Sequence, residues 1–160
     1  INLSVKSEDG LDALPFVIAG VLEKAAEMTV FLNPTAESYV RFGNHKAPRY
    51  ITWSSENRSQ LVRIPAAFGE YRRAELRSPD PTANPYLAFA LIIYAGLYGI
   101  RNRLALPVAA DFNLFKANTK ALDKYQRLPN TLDEARALAA QSAFIVEHIP
   151  ETILDIYCNK

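Results

Sequence analysis

Cysteine is nearly absent from this sequence: Cys158 is the single one among 160 residues. That excludes an internal disulfide and fits a reducing cytoplasm, the localisation expected here. Long apolar runs are missing too, so neither a transmembrane helix nor a membrane partner is expected. No secretory leader is visible, and a first residue Ile1 rather than Met suggests a start inside a longer chain. Net charge is close to zero, at +1, which argues against a polyelectrolyte binder and hence against nucleic acid. Internal repeats and low-complexity tracts are absent as well.

What is present is the composition of a globular protein, 49% hydrophobic and 22% charged, with room for one domain and a real core. The near-zero net charge hides a segregation. Residues 41–80 carry eight Lys/Arg against four Asp/Glu, whereas residues 1–40 carry two against six. Positive charge is concentrated in the middle of the chain.

The apolar patterning predicts an α+β fold. Residues 1–6 alternate as a strand, and Leu14 to about Thr29 place their apolar residues on one helical face. Asn33 and Pro34 read as the cap and first residue of a short helix. Strands are expected at about 49–55, 60–65 and 71–77. Asn84 and Pro85 cap a helix that is apolar nearly all round, which predicts a place central to the core. "TLDE" (Thr131–Glu134) is a capping box opening a helix to about Glu147, and Pro150 opens another.

The stretch "NRSQLVRIPAAFGEYRRAELRSPDPTANPY" holds Arg58, Arg63, Arg72, Arg73 and Arg77 around Glu75. Within it Arg73, Glu75 and Arg77 recur at spacing two and share one face of a strand, while Ala74 and Leu76 face a core. Arg58 and Arg63 could converge on that face. An Arg–Glu–Arg row suits phosphate and carboxylate chemistry, because the guanidinium fork binds both bidentately and a carboxylate among arginines can hold Mg²⁺. The same row also reads as a salt-bridged ladder facing solvent or another subunit.

Taken in order, "NPTAESYVRF", "KAP", "NRSQLVRIP", "AELRSPDPTANPYLAFAL", "AGLYGI" and "LPNTLDEARALAAQSAFIVEHIPETILDIY" resemble the C-terminal catalytic half of glutamine synthetase. The resemblance covers essentially the whole chain. It implies that residues 1–160 are the C-terminal portion of that catalytic domain, without the N-terminal β-domain and the first part of the catalytic domain. The fold it implies is α+β, with antiparallel strands of a partial catalytic sheet packed against helices. The implied activity is that of an ATP-dependent ligase joining glutamate and ammonia through a γ-glutamyl phosphate, with Mg²⁺ or Mn²⁺. By the same resemblance Glu75 is a metal ligand, and Arg41, Arg58 and Arg77 bind glutamate and its acyl phosphate, Arg58 and Arg77 acting in catalysis. Arg63 and Arg73 meet the ATP phosphates, and Asn2 and Ser4 the nucleotide. The full-length protein is expected to be a homo-oligomer, dodecamer-like.

Two departures qualify these expectations. Lys46 stands where the family usually has a glutamate that closes over the site and takes a proton from ammonium. Another amine acceptor, or a non-catalytic paralogue, is therefore an alternative. Phe115 falls at about the position of the regulatory tyrosine of adenylylated members, so no such control is expected there. Elsewhere, His45 reads as a solvated loop residue or a contact of that loop, and Cys158 as incidental. Trp53, Tyr50 and Tyr39 read as packing residues or as a platform for adenine.

Overall fold

A computed structural model describes residues 1–6, 8, 10–44, 46–67, 69 and 72–159. The chain is built around two long helices. Leu14–Leu32 forms α1, with Pro15 in its first turn, where a missing N–H costs nothing. The helix runs three residues past the expected Thr29. The Thr29 hydroxyl donates back to the Ala25 carbonyl at 2.8 Å, and Val30, Phe31 and Leu32 continue the buried face. Asn33, expected to cap the next helix, instead closes α1 and donates to the Thr29 carbonyl. The short helix α2 (Ala36–Val40) accordingly begins after Thr35.

Helix α3 (Pro85–Arg101) starts as its sequence predicts. Asn84 Oδ1 accepts from the Tyr86 and Leu87 N–H groups at 3.0 and 3.4 Å. It is buried on one side only, correcting the expectation of a helix enclosed all round. Ala88, Leu91, Ile92, Ala95, Gly96 and Gly99 face inward, while Tyr86 is 83% and Ile93 59% exposed. The inward side lies directly on α1. A Cβ at Gly20 would overlap the Ala95 carbonyl oxygen, and one at Gly99 would overlap the Phe16 carbonyl oxygen. The two backbones are thus in contact, which glycine alone permits.

The strands are shorter than expected: β1 (Asn2–Leu3), β2 (Trp53–Ser54), β3 (Val62–Arg63) and β4 (Ala74–Leu76), ordered β1-β4-β3-β2. Pairs β1–β4 and β3–β4 are antiparallel, but β2–β3 is parallel. The sheet is therefore mixed, a correction to the all-antiparallel expectation. Its parallel return is made by a loop whose backbone groups are satisfied by side chains: Ser54 Oγ accepts from the Glu56 and Asn57 N–H groups, and Asn57 Oδ1 from Ser59. Val62, Ala74 and Leu76 join α1 and α3 in one buried cluster.

After a 3₁₀ turn at Leu114–Lys116 come α4 (Thr119–Leu122), α5 (Leu132–Gln141), α6 (Ala143–His148) and α7 (Glu151–Cys158). The helix expected to run through Glu147 is two helices. Ser142 breaks it by accepting the Ile145 N–H at 3.1 Å as a new N-cap. In "TLDE" the Thr131 hydroxyl accepts from the Glu134 N–H as expected, but Glu134 reaches back to the Asn130 N–H. Among the described residues no helix is long and apolar enough to cross a membrane.

Candidate active site

Strand β4 alternates as its sequence predicts. Ala74 and Leu76 are buried, which turns Arg73, Glu75 and Arg77 to the other face. The strand register then sets Asn2, Glu75, Arg63 and Ser54 opposite one another across all four strands. Glu75 sits between two arginines: its Oε2 lies 3.2 Å from Arg63 Nη1, and its Oε1 lies 3.7 Å from Arg77 Nε. Arg77 spends the end of its fork on two loops, donating from Nη1 to the Arg58 carbonyl and from Nη2 to the Lys46 carbonyl at 3.2 Å.

The electrostatics favour an anion. Burial pushes the Arg77 guanidinium below its ordinary pKa; Glu75 opposes this, and the charges of Arg58 and Arg63 add to it. Arg63 Nε and Arg77 Nε are buried without a hydrogen-bond acceptor. Buried guanidinium N–H groups with no acceptor are unusual, and a bound anion would satisfy them. A metal finds less here. Glu75 offers one carboxylate, and no group of three His, Cys, Asp or Glu among the described residues is placed to hold an ion. The donor set fits one corner of a coordination sphere rather than the whole of one.

Glu75, Arg63, Arg77, Arg58 and Asn2 are thus brought together, Arg58 as an exposed side chain whose charge is felt at Arg77. Arg73 is exposed at the entrance to β4, two residues from Glu75 on the same face. Arg41 is held apart from the row. Its Nη2 donates to Asn33 Oδ1 at 2.6 Å and to the Ser78 carbonyl, and its Nε lies 3.6 Å from Asp80 Oδ2. Burial would raise the Asp80 pKa. Hydrogen bonds from Thr82 and Ser38, together with the Arg41 charge, outweigh that and hold it below the usual carboxylate range. Ser4 lies away from the charged row, in a largely apolar cavity of about 220 Å³ with Leu3, Val5, Ile93 and Leu97.

The aromatic candidates make the following contacts. Trp53 Nε1 donates to the Pro107 carbonyl at 2.6 Å, Tyr39 is buried edge-on to Phe42, and Tyr50 carries the Arg127 guanidinium 5.4 Å from its ring centre. Burial raises the Cys158 thiol pKa, which disfavours the reactive thiolate. His45 lies outside the described residues. Lys46 is exposed, with φ of 65° in the turn that closes on Ala47. Sequence reasoning missed Asn33 and Asp80 as partners of Arg41. "PDP" reads as a chain stop, and only the spacing of Arg41 to Asp80 in space identifies the pair.

The family described as "Glutamine synthetase, catalytic domain" matches residues 6–160. A glutamine synthetase of Methanosarcina mazei is 41% identical over 149 residues, covering 91% of this chain and 33% of the relative. One from Staphylococcus aureus is 39% identical over 145 residues, covering 89% and 32%, and one from Methanocaldococcus jannaschii is 38% identical over 148, covering 87% and 32%. A solved structure, "GmaS/ADP complex-Conformation 1", superposes with a TM-score of 0.80 at 27% identity, over 98% of this chain and 37% of that one. The chain spans about a third of the length of the curated relatives it matches.

Proposed function

Because the chain belongs to the glutamine synthetase catalytic-domain family, we propose that it is the C-terminal portion of that domain and forms the arginine wall of an ATP-dependent carboxylate–amine ligase site. The observation that carries this reading is Glu75 held between Arg63 and Arg77, with two guanidinium N–H groups left without acceptors.

The reaction has two steps. A glutamate γ-carboxylate oxygen attacks the γ-phosphorus of ATP, the bond to the bridging oxygen breaks, and ADP leaves. The amine nitrogen then attacks the acyl carbon of the γ-glutamyl phosphate, inorganic phosphate leaves, and the nitrogen gives up a proton. Both steps gather negative charge beside the row, and guanidinium groups already oriented there lower the barrier without reorganising. Arg41, Arg58 and Arg77 hold glutamate and its acyl phosphate. Arg63 and Arg73 take the ATP phosphates, and Asn2 and Ser4 contact the nucleotide. The ADP in the solved neighbour supports the nucleotide assignment. Glu75 is the described residue that would hold Mg²⁺ or Mn²⁺, and such an ion would draw charge from the transferring phosphoryl group.

Lys46 favours a second reading in the same class, a ligase for an amine other than ammonium, since a cation beside the acceptor pocket disfavours a small cationic substrate. Assembly as a homo-oligomer in the cytoplasm accompanies both readings. The test is an assay of the full-length protein for ADP and amide formation from glutamate, ATP and ammonium or primary alkylamines. Glu75→Ala is expected to cut phosphoryl transfer by on the order of 10²-fold or more while changing the ADP dissociation constant much less. A near-normal rate at ordinary Mg²⁺ would remove Glu75 from the metal site.

A further inference from the structure

The turn from Gly43 to Ala47 is held from two sides by guanidinium groups. Within it the Gly43 N–H donates to the Ala47 carbonyl at 2.9 Å, and the Ala47 N–H to the Asn44 carbonyl at 2.8 Å. On the side of Glu75, Arg77 Nη2 holds the Lys46 carbonyl at 3.2 Å. On the other side Arg49 closes a fork on the Phe42 carbonyl, with Nη2 at 2.8 Å and Nε at 3.3 Å, while its Nη1 donates to Asn130 Oδ1 at 3.2 Å. No carboxylate among the described residues pairs with Arg49. Its guanidinium is committed to backbone and amide oxygens.

Two features bring this fork to bear on the turn. Gly43 has φ of 85°, and a Cβ there would stand 3.0 Å from Arg49 Nε, so the glycine lets the guanidinium close on the neighbouring carbonyl. Beyond it, Gly43, Asn44 and Arg49 border an open cavity of about 340 Å³ shared with Tyr50 and Phe115, so side-chain packing gives little support there. Phe42 and Ala47 are buried at the two ends of the turn, and Asn44 and Lys46 are exposed between them.

We propose that Arg49 is a positioning residue: by gripping the Phe42 carbonyl it fixes the Gly43–Ala47 turn against the Glu75 row, and so sets where Lys46 meets the amine acceptor. Arg77 holds the same turn from inside the site, so the turn answers to one guanidinium that touches the reacting groups and one that does not. A planar fork on one carbonyl fixes direction as well as distance. A lysine at position 49 would keep the charge and its donors but lack the rigid planar fork. The consequence for amine selection rests on the ligase reading above, but the hold on the turn does not.

The full-length protein with Arg49→Met, Arg49→Lys and Gly43→Ala tests this. Amide hydrogen exchange at Gly43 and Ala47 should quicken by about tenfold or more in Arg49→Met and Gly43→Ala, and by less in Arg49→Lys. The Michaelis constant for ammonium and for propylamine should shift by about three- to tenfold in the same order, with the ADP dissociation constant kept within about twofold. Unchanged exchange in both Arg49→Met and Gly43→Ala overturns the proposal, as does ADP affinity falling in step with the amine constants, which would mark general damage. If the wild type forms no amide with any amine, the ligase reading fails, and the exchange measurement alone decides whether Arg49 holds the turn.

Discussion

Arg77 illustrates how few atoms carry the site. One guanidinium faces Glu75 and donates to the carbonyls of two loops, so a carboxylate and two backbone oxygens share one fork. Lys46 shares in this through its backbone carbonyl, while its side chain is exposed. At contact distance it would repel ammonium by roughly 1–4 kcal/mol, depending on the local dielectric. Lys46→Glu is therefore expected to lower the Michaelis constant for ammonium and raise glutamine formation in the full-length protein. If the native acceptor is a bulkier amine, the same change leaves that reaction unimproved or impairs it. Rates measured with ammonium and with a panel of amines separate the two. No change with any acceptor would mean that the Lys46 side chain lies away from the amine.

At the scale of elements, local signals were legible and long-range ones were not. Period-two alternation placed Glu75 and its flanking arginines on one face because burial of Ala74 and Leu76 leaves them no other. Asn84 was readable as a cap because its side chain needs only the next two or three N–H groups. Asn33 was not, because its amide is claimed by Arg41, eight residues on, and by the turn before it. The strand expected at 49–55 shrank to two residues because its first half pairs elsewhere: the Ile51 N–H goes to Gln126 and the Arg49 carbonyl to Leu128. No pattern within the segment announces that partner. The contact of α1 with α3 was equally silent, since glycines inside a helix reveal nothing of what they touch. It is open to test by substitution. Gly99→Ala is expected to cost roughly 1–3 kcal/mol or more, because the added methyl meets the Phe16 carbonyl. Gly96→Ala should cost less, its methyl meeting Val17 Cγ1 at 2.9 Å, a side chain that can rotate. Denaturant midpoints of the two variants should fall in that order.

Taken whole, the chain has a closed apolar centre and an incomplete chemical one. Its buried cluster joins both long helices and the sheet, whereas among the described residues no group of three possible ligands is placed to hold an ion, and Glu75 by itself supplies far less than a divalent ion requires. The isolated 160-residue chain is accordingly expected to show no ligase turnover with glutamate, ATP and ammonium, and measurable turnover would show that the charged row suffices by itself. The order in which these parts arise follows from the pairing of β1. Ile1 donates to the Leu76 carbonyl across a sequence separation of 75, and closing so large a loop costs roughly 4 kcal/mol of chain entropy. Two-residue strands return little of that until the helices have already brought their ends together. The pairing of β1 onto the charged row is therefore expected to be among the last parts to assemble. During synthesis or refolding Asn2 thus joins Glu75 later than the core closes, an interval that pulse-labelled exchange at Leu76, whose N–H is held by the Ile1 carbonyl, can measure.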